Sequence, residues 1–185
     1  SKNRYFVKRK ACIIIDIASV AKGYAVDQIA DLIKKEEINN FLVEIGGEIY
    51  AAGIRNDGKK WKIGINSPQK DSYFDQVYKV VELHDRALAT SGDYRNFFEI
   101  DEKRYSHILN PKTGYPVLNN VVSVSIIADT CMFADGLATA VVVMGATKGL
   151  ELINSLNGVE CLIVVQEKDG TFIDLYSKGY SNYES

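Results

Sequence analysis

Residues 41–65 read Phe41-Leu42-Val43-Glu44-Ile45-Gly46-Gly47-Glu48-Ile49-Tyr50-Ala51-Ala52-Gly53-Ile54-Arg55-Asn56-Asp57-Gly58-Lys59-Lys60-Trp61-Lys62-Ile63-Gly64-Ile65, and this stretch decides the fold class. Residues 41–45 form an apolar, strand-like run that Gly46-Gly47 interrupts and residues 48–52 resume. Asn56-Asp57-Gly58 is a turn signal between the apolar runs 49–54 and 61–65, so a hairpin is predicted across it. Short strands joined by tight turns call for antiparallel pairing, since parallel neighbours need a long crossover.

Working outward, residues 5–15 read as a strand ending in Cys12-Ile13-Ile14-Ile15, just before Asp16. A helix is predicted over 19–36. Val26, Ile29, Ala30 and Ile33 recur at i, i+3, i+4 and i+7 and give it one apolar face, and Ser19 is its expected N-cap. Downstream, 74–83 and 86–90 read as strands, and 95–100 with 105–109 as a hairpin around Asp101-Glu102-Lys103. Residues 121–128 read as a strand buried on one face at least, 131–144 as an apolar helix stopped by Gly145, and 148–156 as a short helix. A last hairpin pairs 161–166 with 171–176. Strands and helices mix with several hairpins, so the expected class is α+β, with mixed, largely antiparallel sheets packed against a few helices. Neither a repeat nor a long linker divides residues 1–185, and one compact unit is expected.

Composition narrows the function classes. Of 185 residues, 22 are Lys or Arg and 24 Asp or Glu, a net charge of −2, with 46% apolar and 25% charged residues. No apolar run approaches the roughly 20 residues of a membrane-spanning helix. The balanced charge, without basic runs, gives no electrostatic footprint for nucleic acid. Cys12, Cys131 and Cys161 each lie among apolar neighbours and are expected to be buried free thiols. The chain opens on Ser1 without a signal peptide, as a mature form or a fragment of a longer protein does.

Three segments can carry chemistry. In the first, residues 16–27, a carboxylate at Asp16 is followed by a helix start with Ser19 and Lys22 in its first turns. A helix N-terminus presents free N–H groups and partial positive charge, which suits phosphate, and Lys22 adds a full charge. The plainer alternative is an ordinary capped helix with Lys22 in solvent. In the second, Asp135 and Thr139 stand four residues apart on one face of the apolar helix. A carboxylate among Phe133, Ala134, Leu137 and Ala138 is costly to bury unless paired or bound to a cation, and hard oxygen ligands suit Mg²⁺. The alternative places Asp135 on an exposed side. In the third, Ser106-His107-Ile108-Leu109-Asn110-Pro111-Lys112-Thr113-Gly114, His107 ends a strand before a Pro- and Gly-punctuated loop, where it could act as a general base or simply pack. Thr90-Ser91-Gly92-Asp93-Tyr94-Arg95-Asn96 is a polar loop that either lines a cleft or turns the chain.

Ser19-Val20-Ala21-Lys22, Tyr94-Arg95-Asn96 and Lys112-Thr113-Gly114 also spell, in order, the short motifs of serine penicillin-recognising acyl enzymes. That reading needs Lys112-Thr113-Gly114 on a strand beside the nucleophile, whereas Pro111 and Pro116 predict a loop.

Taken together, residues 16–27, Ile45-Gly46-Gly47, Thr90 to Asn96, Ser106 to Gly114, and Ala134-Asp135 through Thr139 to Met144-Gly145 strongly resemble the FAD:protein FMN transferase (ApbE) family. The motifs occur in the family's order and cover most of the chain. The resemblance implies a Mg²⁺-dependent enzyme that takes FAD as donor and attaches FMN to a Thr or Ser hydroxyl of an acceptor flavoprotein, releasing AMP. It implies FAD contacts at Asp16, Lys22 and Leu109. It implies metal ligands at Ser19 (through its carbonyl), Asp135 and Thr139, and a base at His107. Some members carry an acidic metal ligand at the position of Ala138. Family members also carry a substantial region ahead of the Asp16 strand that supplies part of the FAD pocket, so an N-terminally shortened chain is expected. A flavin- or nucleotide-binding module without transfer activity is therefore the alternative function. Members are commonly exported and anchored as lipoproteins, a setting that the resemblance alone implies.

Overall fold

The computed structural model describes residues 9–10, 12, 14–69, 76–92, 97–100 and 103–185. In chain order the elements are α1 (Ala18–Lys35), β1 (Phe41–Ile45), β2 (Glu48–Ala52), β3 (Trp61–Asn66), β4 (Val77–Leu83), β5 (Arg86–Gly92), β6 (Phe97–Ile100), β7 (Lys103–Ser106), β8 (Val121–Ala128), α2 (Cys131–Met144), α3 (Ala146–Ser155), β9 (Glu160–Gln166) and β10 (Phe172–Tyr176), with a closing 3-10 turn at Tyr180–Tyr183. Six strands form one sheet in the order β1-β2-β5-β8-β9-β10, every neighbouring pair antiparallel. β3 pairs with β4, and β6 with β7, as separate antiparallel ribbons. The class is α+β, as the hairpin grammar predicts.

Alternation along the central strands explains the layering. On β9, Cys161, Ile163 and Val165 face an apolar cluster with α2 and α3, while Leu162 and Val164 face a second cluster with β3 and β4. β8 is buried along its whole length because both of its faces are covered. α1 closes the helical side at the β1–β2 edge, where Val26 and Ala30 pack on Phe41, Val43, Tyr50 and Ala52. Each fully buried Leu or Ile in these layers stabilises the fold by about 1.5–3 kcal/mol relative to exposure. Among the described residues, no helix is long and apolar enough to cross a membrane.

Four expectations change. The hairpin is not built on Asn56-Asp57-Gly58. Residues 55–59 do turn, with the Gly58 amide donating to the Arg55 carbonyl at 2.9 Å, but β2 pairs with β1 and β5, and β3 with β4. The decisive turn is Gly46-Gly47, whose φ values of 61° and 98° fit the left-handed two-residue loop that matches strand twist. Secondly, α1 starts at Ala18 with Ile17 at its N-cap, so Ser19 lies in the first turn rather than capping it. Asp16 Oδ1 accepts from the Ala18 amide at 2.8 Å instead.

The third concerns the strand expected over 5–15, most of which lies outside the described residues. Ile14 and Ile15 belong to no strand among the described residues and are 90% and 72% exposed, since none of the described apolar clusters takes them in. Cys12 is accordingly exposed, while Cys131 and Cys161 are buried free thiols. Finally, β7 ends at Ser106. Residues 107–117 leave it to close on themselves, with Asn110 N to Tyr115 O at 2.8 Å and Val117 N to Ile108 O at 2.9 Å. Lys112-Thr113-Gly114 lies in the turn of this loop, where the Thr113 and Gly114 amides both donate to the Asn110 carbonyl. That geometry removes the strand the penicillin-recognising reading requires.

Candidate functional site

Two helices cross with almost no space between them. A Cβ on Gly23 would stand 2.4 Å from the Cys131 carbonyl oxygen and 2.8 Å from Met132 Cα, and one on Gly136 would stand 3.1 Å from Val20 Cγ1. Glycine at these positions is what lets α1 approach α2. The approach is locked by Asp27, whose carboxylate receives the first amides of α2, Cys131 N at 2.7 Å and Met132 N at 2.9 Å. An acidic group there also complements the positive end of the α2 dipole.

The crossing carries Asp135 to α1. Asp135 is 3% exposed, and its Oδ2 accepts from the Gly23 amide at 3.0 Å. Burial raises its carboxyl above the usual range, while the Gly23 bond and the nearby Lys22 ammonium pull it back. In a helix, the Gly23 amide is also the natural partner of the Ser19 carbonyl four residues earlier, so Asp135 competes for that donor. One turn further along α2, Thr139 Oγ1 and Ser91 Oγ lie 3.0 Å apart, tying the helix to the end of β5.

Glu48 completes the group. It follows the Gly46-Gly47 turn and lies two residues before Tyr50, which places it on the helical face of β2. Its side chain is 2% exposed, and Oε1 accepts from Lys22 Nζ at 2.7 Å, the Lys22 side chain itself being 48% exposed. Oε2 is buried without a hydrogen-bond partner among the described residues. Burial raises the Glu48 carboxyl, Lys22 opposes that rise, and the Asp135 charge adds to it. The residue signal for Glu48 was a lone carboxylate in an apolar strand, directly after two glycines.

Lys22 and Asp135, two of the residues singled out from the sequence, thus share one electrostatic neighbourhood, with half-buried Ser19 one turn back along α1. Thr139 shares the Asp135 helix. Asp16 is exposed just ahead of α1. His107 is exposed immediately after β7, and Leu109, 56% exposed, forms an isolated bridge with Pro116. Between them Ile108 packs on the cluster containing Ala134 and Ala138, so the loop holding His107 is anchored to the α2 side of the sheet. Asp93, Tyr94, Arg95 and Asn96 lie outside the described residues.

Among the described residues, no three His, Cys, Asp or Glu side chains gather into a metal cage. The donors present fit Mg²⁺ nonetheless. It takes hard oxygens in octahedral array, keeps several waters, and is commonly held by one or two carboxylates with substrate phosphates. Asp135 is such a carboxylate, buried and only partly neutralised. Thr139 Oγ1 and the Ser19 carbonyl are neutral oxygen donors.

Fold and site define an α+β protein with an incompletely neutralised carboxylate held between two helices, beside a lysine that reaches the surface. The chain belongs to the ApbE family, whose profile matches residues 1–163. A FAD:protein FMN transferase of Vibrio cholerae is 45% identical over 158 residues, covering 85% of this chain and 46% of the relative. One from Escherichia coli K12 is 34% identical over 169 residues, covering 91% of this chain and 47% of the relative. The solved structure of the flavin transferase ApbE from Vibrio cholerae superposes with a TM-score of 0.79 at 41% identity, covering 91% of this chain and 52% of that one. The ApbE protein of Thermotoga maritima gives a TM-score of 0.77 at 35% identity, covering 92% of this chain and 53% of that one. The chain spans about half the length of the curated relatives it matches.

Proposed function

We propose that this chain carries the metal- and phosphate-facing half of a FAD:protein FMN transferase. In the reaction, a Thr or Ser hydroxyl of an acceptor flavoprotein attacks the flavin-side phosphorus of FAD. A phosphoester forms, the P–O–P bond breaks, and AMP leaves with the bridging oxygen. The single observation that best supports this reading is the buried Asp135 at the α1–α2 crossing, held by the Gly23 amide beside Lys22.

Each residue has a task that its chemistry suits. Asp135, Thr139 and the Ser19 carbonyl would hold Mg²⁺, which when bound would supply charge neutralisation at the pyrophosphate oxygens. Lys22 places an ammonium against the same oxygens, and Asp16 and Leu109 border the bound FAD. His107, exposed on its loop, accepts the proton of the incoming hydroxyl at an imidazole nitrogen as the new bond forms. Its exposure leaves room for a folded acceptor to present its hydroxyl. By resemblance to the family, the proposal extends to an exported, membrane-anchored lipoprotein, which fractionation of the native host would test.

The deciding experiment incubates the chain with FAD, Mg²⁺ and an acceptor bearing the target Thr, and measures acceptor mass and AMP. Transfer adds one FMN per acceptor and releases one AMP, is lost on removal of Mg²⁺, and is abolished in His107→Ala and Asp135→Ala. FAD binding without acceptor modification would replace this reading with that of a flavin- or nucleotide-binding module.

A further inference from the structure

A carboxylate that is nearly inaccessible, with one oxygen bonded and the other without a hydrogen-bond partner among the described residues, calls for an explanation. Glu48 is 1% exposed, and its Oε2 is that second oxygen. Structural carboxylates in a core are usually satisfied on both oxygens, since a buried unsatisfied acceptor costs the full desolvation of that atom. Among the described residues, the side-chain partner of Glu48 is Lys22, whose Nζ donates to Oε1 at 2.7 Å. The two partners differ sharply in exposure, 48% for the lysine side chain and 2% for the glutamate. A rigid, buried anion therefore grips the end of a long, half-exposed side chain.

The grip is fixed from both sides. Glu48 opens β2 directly after the Gly46-Gly47 turn and pairs with Ile45, so its backbone is held in the hairpin ladder. Lys22 precedes Gly23, the residue locked against α2 through Asp135. The Lys22 side chain runs past the turn, its Cδ 3.5 Å from the Cβ position of Gly46.

We propose that Glu48 is a positioning residue that holds the Lys22 ammonium in place for the FAD pyrophosphate. The inference rests on the proposed transferase reading, in which Lys22 meets FAD. Lysine pays a large rotamer entropy when a ligand must order it, and a pre-formed ion pair removes that cost before binding. Because Glu48 is out of reach of solvent, it can hold the ammonium by one oxygen while the remaining Nζ–H donors face outward.

FAD affinity is measured by titrating the full chain in Mg²⁺ buffer, for wild type, Glu48→Ala, Glu48→Gln, Lys22→Met and the Glu48→Ala/Lys22→Met pair. Glu48→Ala weakens FAD binding by about three- to tenfold, the ordering cost of one long side chain. Glu48→Gln, whose amide oxygen still accepts from Nζ, recovers most of that loss. In the Lys22→Met background, Glu48→Ala adds nothing further. Equal affinity of wild type and Glu48→Ala, or additive losses in the double variant, would overturn the proposal. In parallel, NMR of the lysine ammonium groups should show a slowly exchanging Lys22 signal in wild type and Glu48→Gln that is lost in Glu48→Ala. Absence of that signal from wild type also overturns the proposal. Failure of wild type to bind FAD sinks the transferase reading instead, and the ammonium signal still decides whether Glu48 orders Lys22. Should Glu48→Ala not fold, Lys22→Met alone identifies the signal, and a Glu48→Gln chain without it overturns the proposal.

Discussion

The Gly23 amide donates to Asp135 Oδ2 at 3.0 Å, joining residues 112 positions apart in sequence. This bond ties the N-terminal helix to the helix that follows the sheet's central strand. It exists only because glycine at position 23 allows the two backbones to meet.

A methyl group at position 23 tests that point. In Gly23→Ala the new Cβ meets the Cys131 carbonyl oxygen at 2.4 Å, and both neighbours are backbone atoms that no rotamer change can move aside. The expected loss is about 1–3 kcal/mol of stability, as for other overpacked sites, and it is read from urea midpoints at constant m-value. A variant as stable as wild type would mean that the helices do not cross this closely.

Asp27 makes the second tie, capping α2 with both carboxylate oxygens. Asp27→Ala is expected to cost about 1–2 kcal/mol. Hydrogen exchange at the Cys131 and Met132 amides should accelerate more than exchange in β8. A uniform acceleration would indicate global loosening rather than loss of a cap.

Asp135 is expected to trade stability for metal binding. Burial raises its folded-state pKa, so the protonated form is favoured, and the stability this gives is present below the unfolded value of 3.8 and lost as pH rises through the folded one. Near pH 7, Asp135→Asn therefore keeps or gains thermal stability without metal. Mg²⁺ in excess of its Kd raises the wild-type Tm by mass action but leaves the variant unchanged. A Mg²⁺ response preserved in Asp135→Asn would remove Asp135 from the ligand set.

Across the sheet, Asp174 behaves in the opposite sense. Burial pushes its carboxyl up, but bonds from Tyr78 (2.6 Å), Lys79 (3.0 Å) and Tyr176 (2.8 Å) outweigh this and leave it below the usual range. The resulting stability is present above the unfolded pKa of 3.8 and lost as pH falls through the folded value. Asp174→Asn should cost about 1–2 kcal/mol at pH 7 and much less at pH 3, compared by urea denaturation. An equal cost at both pH values would assign the loss to packing.

Much of this was readable in the residues themselves. The period of Val26, Ile29, Ala30 and Ile33 marks α1, the apolar run after Thr130 marks α2, and both end close to where the pattern predicts. Asp135 stood out as a carboxylate in an apolar helix, and the structure buries it. Glu48 did not stand out, because its meaning depends on Lys22, 26 residues earlier, arriving on the same side of β2. The misplaced hairpin has a similar origin. Asn56-Asp57-Gly58 and Gly46-Gly47 are both good turns, and local chemistry cannot rank them when the choice depends on which strand edge is already taken.

By itself, then, the sequence determined the two long helices, most of the strands, the α+β class and the family, since these follow from periodicity, turn residues and ordered motifs. Tertiary structure alone decided which strands pair, that Asp27 caps a helix more than a hundred residues away, and that Lys22, Glu48 and Asp135 form one charged group. Those outcomes rest on close contact between distant segments, whose Coulomb and steric energies are set by ångström separations that residue order does not specify.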